Sequence, residues 1–132
     1  MKIHAYKIEP RGDISLDQVL RHINEIPFEE RLRTVSNGDI RLEIGNRAGN
    51  FWTLDFGGIR PDGPGRASAT MPIADFDMNA DEGFGQETAA VYNVATGFMA
   101  LQYNHFGPRH ARIQGYLFRF ARAAAGLVED AP

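Results

Sequence analysis

Five acidic residues lie within the short segment 75–87, which contains no lysine or arginine: Asp75, Asp77, Asp81, Glu82 and Glu87. The three aspartates, together with Asn79, place oxygen ligands at alternate positions, as the first half of a calcium-binding loop does. A hard cation needs six to eight oxygens, and a tightly coiled chain with this spacing can supply them. The chemistry that the segment suggests is therefore cation binding at Asp75, Asp77 and Asp81.

Two positions in this segment depart from the calcium-loop pattern. Ala80 stands where the loop needs glycine for its sharp turn, and Gln86 stands where a bidentate glutamate should close the site, with Glu87 one residue further on. No pair of helices is predicted to flank the segment. We therefore expect a solvated acidic loop, or a surface presented to a basic partner, and keep a metal site as the alternative.

A basic segment follows the acidic one, in the predicted C-terminal helix, and contains Arg109, Arg112, Arg119 and Arg122. Helical spacing predicts that the four arginines share the face opposite the apolar stripe of Ile113 and Phe120. Such a face could neutralise phosphates, which predicts nucleic-acid binding with a steep salt dependence. Because the whole chain is acidic, we prefer docking on a protein partner or on the 75–87 segment of a second copy, and keep nucleic acid as an alternative.

The histidines offer a further alternative chemistry. His105 and His110 bracket Gly107 and Pro108 at the start of the predicted helix, whereas His4 and His22 lie elsewhere in the sequence. Together with Asp75, Asp77, Asp81 or Glu82, His105 could serve a metal-dependent phosphodiesterase or nuclease. None of these residues has the spacing of a known metal or nucleophile motif, so His105 is first interpreted as a loop or helix-capping residue.

Composition limits what elements can position these residues. The chain has 132 residues, of which 43% are hydrophobic and 23% charged, and these values are typical of one globular domain. It has no cysteine, which excludes disulfide scaffolds, thiolate metal sites and cysteine nucleophiles. The first residues lack the apolar core of a signal peptide, and we expect a cytoplasmic protein without a cofactor.

Charge is distributed unevenly along the chain. The formal net charge is −3, from 17 acids and 14 bases. Segment 75–87 contributes −5, so the remaining residues carry +2. Residues 88–108 have no formal charge, and they separate the acidic segment from the arginines. Two opposed charged surfaces are therefore predicted on a nearly balanced chain.

In the N-terminal half, residues 2–9 alternate as a strand does, and Ser15 with Gln18 forms a capping box before a helix over 16–26. The segment 28–35 is ambiguous between a helical turn and a strand. Ile40, Leu42 and Ile44 alternate with charged residues, as do Trp52, Leu54 and Phe56 with polar ones, which predicts a hairpin across the turn 45–50. The glycines and prolines of 57–65 predict an exposed loop.

In the C-terminal half, residues 71–78 are a strand or an irregular segment, and 87–94 and 98–104 are rich in strand-forming residues. Between the last two, Gly97 suits a left-handed bulge position, so they should form a second hairpin. Gly107 and Pro108 open a helix that ends near Gly126. We expect one domain over 1–126 and a frayed tail over 127–132.

These elements predict an α+β fold in two layers. A mostly antiparallel sheet of four to five strands in two hairpins is packed by an N-terminal and a C-terminal helix. Trp52, Phe56 and Leu101, with the helical stripe through Phe120, should form the core.

One family resemblance is carried by three stretches: residues 81–88 (DEGFGQET), the strand through Tyr92 with Thr96 and Gly97, and residues 100–107 (ALQYNHFG). They resemble a segment in the N-terminal part of uncharacterised bacterial proteins encoded among phage-defence and mobile genes. The resemblance covers about residues 40–120 and contains no catalytic motif. It therefore implies a genomic context for this chain, that of bacterium–phage conflict, and assigns no activity or site residue. Those proteins are longer, which leaves two alternatives for this chain: one domain of a larger architecture, or a stand-alone reduction of it.

The first hypothesis for function is a non-enzymatic interaction or regulatory module. It binds a macromolecular partner through the acidic segment 75–87 and the arginine face 109–122, since charge-complementary faces favour fast and specific association. The alternatives are the metal-dependent phosphodiesterase and a nucleic-acid-binding domain without catalysis. No membrane contact is expected, and a homo-oligomer remains open.

Overall fold

Two helices and six strands form the part of the chain that the computed structural model describes, residues 2–9, 12–36, 38–60, 84–104 and 107–124. In chain order the elements are β1 (Lys2–Lys7), α1 (Leu16–Glu25), a 3₁₀ turn (Phe28–Glu30), β2 (Arg33–Val35), β3 (Gly38–Ala48), β4 (Phe51–Arg60), β5 (Phe84–Asn93), β6 (Phe98–Tyr103) and α2 (His110–Ala124). All strand pairs are antiparallel, in the order β1-β6-β5-β4-β3-β2. The predicted α+β fold is confirmed, with six strands instead of four to five.

Both helices lie on one face of the sheet, which we call the inner face; the opposite face is the outer face. Inward-pointing residues of alternate strand positions pack against the apolar stripes of α1 and α2. Trp52, Phe56, Leu101 and Phe120 are all buried, which confirms the predicted core. The full set of buried apolar residues is Leu16, Val19, Leu20, Ile23, Ile40, Leu42, Trp52, Leu54, Phe56, Ala90, Tyr92, Met99, Leu101, Ile113, Tyr116 and Phe120.

The start of α1 follows the predicted capping box. The Ser15 hydroxyl accepts from the Gln18 backbone N–H at 3.2 Å, and the Gln18 side chain accepts from the Ser15 N–H at 2.8 Å. In the first turn, Asp17 accepts from Trp52 Nε1 at 2.8 Å and forms ion pairs with Arg21 and Arg47. This carboxylate therefore fastens the β3–β4 hairpin to the helix.

Both predicted hairpins are present. The first closes through only Gly49 and Asn50, a shorter turn than the predicted 45–50, and Gly49 has a φ of 60°. The second turns at 94–97, where Gly97 takes the predicted left-handed conformation with a φ of 78°. Positive φ strains residues with a Cβ, which explains glycine at both positions.

A β-bulge in β3 changes which residues point inward. Leu42 pairs with Phe56, but Ile44 pairs with Asp55, so Glu43 is the extra residue. The simple alternation of the sequence predicted that Ile44 would join Ile40 and Leu42 on the buried face. The bulge instead turns Ile44 to the outer face, where it is exposed.

Two segments that the sequence left ambiguous or assigned to a loop contain strand residues in the structure. Residues 28–35 divide into the 3₁₀ turn and β2, which pairs with the start of β3. Gly57 and Gly58 continue β4 as buried residues, so the prediction of an exposed loop from Gly57 is wrong at that end. A Cβ at Gly58 would lie 3.2 Å from Pro108, and the glycine therefore allows the close approach of the segment that precedes α2. The predicted segments 61–65, 71–78 and 127–132 lie outside the described residues.

Gly107 fixes the start of α2 against β5. A Cβ at this position would lie 2.6 Å from Thr88 Oγ1 and 3.0 Å from the Glu87 carbonyl oxygen, so only glycine fits. The buried Thr88 hydroxyl donates to the Pro108 carbonyl at 2.7 Å. Gly107 and Pro108 thus mark the helix entrance, as predicted.

The Tyr116 hydroxyl joins three separate parts of the fold inside the core. It accepts from the Leu42 backbone N–H of β3 at 3.0 Å and donates to the Arg31 carbonyl at 2.8 Å. Its ring meets those of Phe56 and Phe120 edge to face. Burial raises the pKa of Tyr116, which keeps the hydroxyl protonated and able to donate.

Replacing Tyr116 by phenylalanine tests this connection. The Tyr116→Phe variant leaves a buried N–H and a buried carbonyl without their partner, and should lower the free energy of unfolding by about 1–3 kcal/mol. Denaturant unfolding measures the change. Tyr103→Phe, at a tyrosine that is 38% exposed, is the control and should change it by less than about 0.5 kcal/mol. Equal effects in the two variants would contradict the assignment.

Candidate functional site

The predicted acidic site lies largely outside the described residues. Asp75, Asp77, Asp81 and Glu82 are there, as is His105, so the metal site and the phosphodiesterase that use them stay predictions. Of the five acidic residues of the segment, only Glu87 has a described side chain, and it stands on the outer face of β5. Within the described ranges, no group of three or more histidine, aspartate or glutamate side chains could hold a metal ion.

The four arginines do not form the single open face that helical spacing predicted. Arg112 is half-buried: its guanidinium lies against Gly38 and donates to the Ser36 carbonyl at 3.4 Å. Arg109 precedes α2 and lies over the Tyr103 ring at 5.2 Å. Arg119 is half-buried and Arg122 is exposed. The reason is that α2 crosses the β2–β3 turn, which occupies one flank of the helix.

The described parts of the two predicted charged surfaces face in opposite directions. Glu87 points from the outer face, whereas Arg112, Arg119 and Arg122 belong to the helix layer on the inner face. One compact partner surface could not meet both. The arginine helix and the acidic residues must therefore be considered separately.

The outer face carries most of the exposed large hydrophobic residues of the described structure. It carries five exposed large hydrophobic residues, which are 43 to 65% exposed: Ile3, Ile44, Phe51, Val91 and Phe98. Patches of this kind on a protein surface mark interaction sites. Sequence reasoning missed this surface, although the signal was there: in Phe51-Trp52, Val91-Tyr92 and Phe98-Met99 two apolar residues are adjacent, so both faces of each strand are apolar.

The register gives this surface a definite shape. Ala5 pairs with Ala100, which pairs with Val91, which pairs with Thr53, so a row of smaller side chains crosses four strands. Phe51 and Phe98 lie two residues away from this row along their strands, on one side of it. Ile3 and Ile44 lie two residues away on the other side. The row thus runs perpendicular to the strands between two lines of residues, in which polar Asn93, Gln102 and Asp55 alternate with the apolar side chains. We call this surface the outer groove.

A cluster of charged residues lies at the β3–β5 side of the outer groove. Asp55 on β4 is opposite Ala89, and Glu87 is opposite Gly57, so the two carboxyls are diagonal neighbours and hydrogen-bond. The bulge brings Glu43 beside them. Glu43 forms a buried ion pair with Arg41, whose guanidinium also lies 4.6 Å from the Phe28 ring.

Asp55 holds a proton more tightly than an ordinary aspartate. Burial, the negative charge of Glu87, the hydrogen bond with Glu87 and the charge of Glu43 together raise the pKa of Asp55 to about 7 from its usual 3.8. Near neutral pH Asp55 therefore changes between its protonated and its ionised form. A cation placed opposite the pair would favour the second state.

Rings from three elements form a second polar cluster, on the inner face at the β1–β6 end of the sheet. Tyr6 stacks on His110 with ring centroids 5.4 Å apart, and His4 stacks on Tyr103 at 5.6 Å. Tyr6 and His4 are 6.4 Å apart, so the rings are continuous, and Arg109 lies over Tyr103 at the far end. We call His4, Tyr6, Tyr103, Arg109 and His110 the ring row. Sequence reasoning named His4 and His110 without bringing them together, because both meet Tyr6 only when the start of α2 lies beside β1.

A shallow, open depression lies between α1 and the β3–β4 hairpin, bordered by Arg21, Asn24, Asn46, Arg47 and Trp52. Asp17 forms ion pairs with both of its arginines. One carboxylate thus holds both guanidinium groups in place, and the three groups together keep a net positive charge.

Comparisons with known proteins give no relative: no family model, no curated protein and no solved structure matches the chain. Within the described ranges, neither α1 nor α2 is long and apolar enough to cross a membrane.

The raised pKa of Asp55 predicts a pH-dependent stability. The folded protein keeps this proton up to about pH 7 and the unfolded chain loses it near 3.8, so the stabilisation is complete below about pH 4 and is lost as the pH rises through 7. Asp55→Asn, which mimics the protonated group, should therefore raise the melting temperature at about pH 8 and much less at about pH 5.

Asp13→Asn is the control for this experiment, because Asp13 is exposed in the loop before α1. It should shift the melting temperature equally at the two pH values. A gain from Asp55→Asn that is the same at both, or is absent at the higher pH, would show that the Asp55–Glu87 pair does not hold the extra proton.

Proposed function

We propose that the protein is a non-enzymatic interaction module that binds a protein partner through the outer groove. The observation that carries the proposal is the collection of Ile3, Ile44, Phe51, Val91 and Phe98 on one exposed sheet face. Because these side chains are about half exposed, complete burial of each would contribute on the order of 1 kcal/mol, and together they could form the apolar centre of an interface.

The charges beside the groove indicate the chemistry of the partner. Asp55 and Glu87 stand at the edge of the apolar surface, while Arg41 is already paired with Glu43 in a buried position. Asp55 and Glu87 repel each other when both carboxylates are ionised. A lysine or arginine of the partner, placed opposite them, would offset this repulsion. The partner is therefore an apolar protein segment that carries a basic residue toward one end.

This proposal retains the basic partner that the sequence predicted for the acidic segment, and it separates the arginine face from that contact. Glu87 belongs to the acidic segment 75–87, which was expected to meet a basic partner, and the groove adds the apolar contacts that charge alone does not provide. The arginines of 109–122 lie on the opposite side and would serve a separate contact. A role in bacterium–phage conflict stays a prediction from the resemblance, since no comparison bears on it.

Selection from a random displayed-peptide library tests the proposal with a defined probe. Peptides selected on the immobilised protein should combine aromatic or aliphatic residues with a lysine or arginine. Against Phe51→Ser and Val91→Thr variants the selected peptides should lose at least about tenfold in affinity, equivalent to about 1.4 kcal/mol. Asp55→Asn with Glu87→Gln should weaken binding of the basic peptides alone.

Phe118→Ser is the matched control, because Phe118 is 57% exposed on α2, away from the sheet. It should leave peptide affinity unchanged. The proposal fails if the peptides bind Phe51→Ser as well as the wild-type chain, or if the selected peptides are acidic. It also fails if sedimentation shows a dimer that Phe51→Ser separates, because the groove would then be filled by a second copy.

A further inference from the structure

The depression between α1 and the β3–β4 hairpin has no role in the proposed interaction. It has a volume of about 520 Å³ and is open to solvent. Arg47 pairs with the buried Trp52 across the hairpin, so both point to the inner face, away from the outer groove. None of the described residues that line the depression is acidic, and two of them are arginines, Arg21 and Arg47. Its lining is therefore polar and basic.

Asp17 holds both arginines in place from beneath the depression. Its Oδ2 accepts from Arg21 Nε at 2.9 Å, and its Oδ1 accepts from Arg47 Nη1 at 2.8 Å. Oδ1 also accepts from the Trp52 indole N–H at 2.8 Å. The Asp17 side chain is only 15% exposed and does not line the depression, whereas both arginines do. The carboxylate thus positions the guanidinium groups and leaves the depression to them.

Most N–H groups of these two arginines have no partner within the described ranges. A guanidinium has five N–H donors. Arg21 uses one of them, for Asp17, and Arg47 uses two, for Asp17 and for the Gly49 carbonyl at 2.9 Å. Four donors of Arg21 and three of Arg47 therefore remain for solvent or for a ligand in the depression.

A structural role for the ion pairs accounts for only one of the two arginines. Asp17 fastens the hairpin to α1 through Trp52 and Arg47, because both of these belong to the hairpin. Arg21 lies on the same helix as Asp17, one turn further on, so its bond with Asp17 joins no separate elements. Exposed pairs of this spacing stabilise a helix only slightly. The effect of Arg21 is to place a second guanidinium beside the first.

The two guanidinium groups lie close enough to share one anion. Because they bond the two oxygens of one carboxylate, the bonded nitrogens of Arg21 and Arg47 are at most about 8 Å apart. Each planar fork can bind two oxygens of an anion. A single fork already occupies both oxygens of a carboxylate ligand, whereas the three terminal oxygens of a phosphate monoester can meet two forks that share one oxygen. The geometry therefore favours phosphate over carboxylate.

We propose that the depression is a binding site for a phosphate monoester, whose terminal oxygens accept from Arg21 and Arg47. Because the depression is shallow and open, it holds the phosphate group and leaves most of the attached molecule in solvent. The group is carried either by a small molecule or by a phosphorylated side chain of a protein, and both sources present the same chemistry. The site is separate from the outer groove and does not depend on it.

Nuclear magnetic resonance titration of the full chain with inorganic phosphate, at constant ionic strength, tests the proposal. Trp52 is the only tryptophan of the chain, and its indole N–H donates to the carboxylate that holds both arginines, so this one signal reports on the site. It should shift together with the Nε–H signals of Arg21 and Arg47, with a dissociation constant on the order of 1 mM. Acetate should bind at least about tenfold more weakly.

Two phosphate esters distinguish the sources. Glycerol 3-phosphate presents the group on a small molecule, and a short peptide with one phosphoserine presents it on a protein segment. If the peptide binds at least about fivefold more tightly than glycerol 3-phosphate, the site is assigned to a phosphorylated protein, and otherwise to a small molecule. The same peptide without its phosphate should leave the Trp52 signal unchanged.

Arg21 is the better arginine to replace, because its side chain is 60% exposed and bonds only Asp17 within the described structure. Arg21→Gln should lower the affinity for phosphate at least about fivefold while the melting curve stays cooperative. Arg21→Lys keeps the charge without the fork and should also weaken binding. Lys2→Gln is the control, since it removes a positive charge at an exposed position of β1, at the other end of the strand order. It should leave the affinity unchanged.

Three results would overturn the proposal. One is the absence of shifts in the Trp52 and arginine side-chain signals at high phosphate concentration. Another is equal affinity for acetate and phosphate, which would show that the arginines do not select a tetrahedral anion. A third is an equal loss of affinity in Arg21→Gln and Lys2→Gln, which would show that binding follows overall charge. Because none of these measurements involves the peptides selected for the outer groove, the two proposals fail independently.

Discussion

Two helices pack on one face of a six-stranded sheet, and this unequal coverage determines which surfaces remain available. The helices contact each other and cover mainly the β4-β3-β2 end of the strand order, where Tyr116 also meets Phe56 and Asp17 binds Trp52 of β4. Tyr116 fastens this end, because its hydroxyl bonds both the Leu42 N–H of β3 and the Arg31 carbonyl before β2. The other end of the inner face, and the outer face, keep exposed side chains.

Each exposed region has residues suited to a different kind of contact. The outer groove combines large apolar side chains with the Asp55–Glu87 carboxyl pair, which suits an apolar protein segment with a basic residue. The ring row consists of planar side chains that stack on one another, with Arg109 over Tyr103 at one end. The two regions lie on opposite faces of the sheet, so a partner on the outer groove would leave the ring row uncovered.

Local features of the fold were predictable because they depend on neighbouring residues. The capping box at Ser15, the left-handed Gly97 and the helix entrance at Gly107 each follow from short-range chemistry. The bulge at Glu43 was not predictable, since a single extra residue leaves no mark in the alternation of Ile40, Leu42 and Ile44. That one residue reverses the direction of Ile44 and brings Glu43 beside Asp55.

The candidate sites were less predictable than the fold, because each depends on strand pairing between distant parts of the chain. Asp55 meets Glu87 only through the β4–β5 register, and His4 meets Tyr103 only because the first strand pairs with the sixth. Patterns of charge along the sequence drew attention to 75–87 and to the arginines, but position on the sheet decides which charges face together. Glu87 is the acidic residue of segment 75–87 whose side chain the structure describes, and it lies on the outer face.

The openness of the outer face is the premise on which the interaction proposal depends, and methyl relaxation by a soluble paramagnetic agent measures it directly. With isoleucine and valine methyl groups labelled, the signals of Ile3, Ile44 and Val91 should be strongly relaxed, while those of Ile23 and Ile40, which are fully buried, should be protected. If Ile44 and Val91 were protected as well as Ile40, the outer face would be covered in solution, and this account of the protein as an open interaction module would be contradicted.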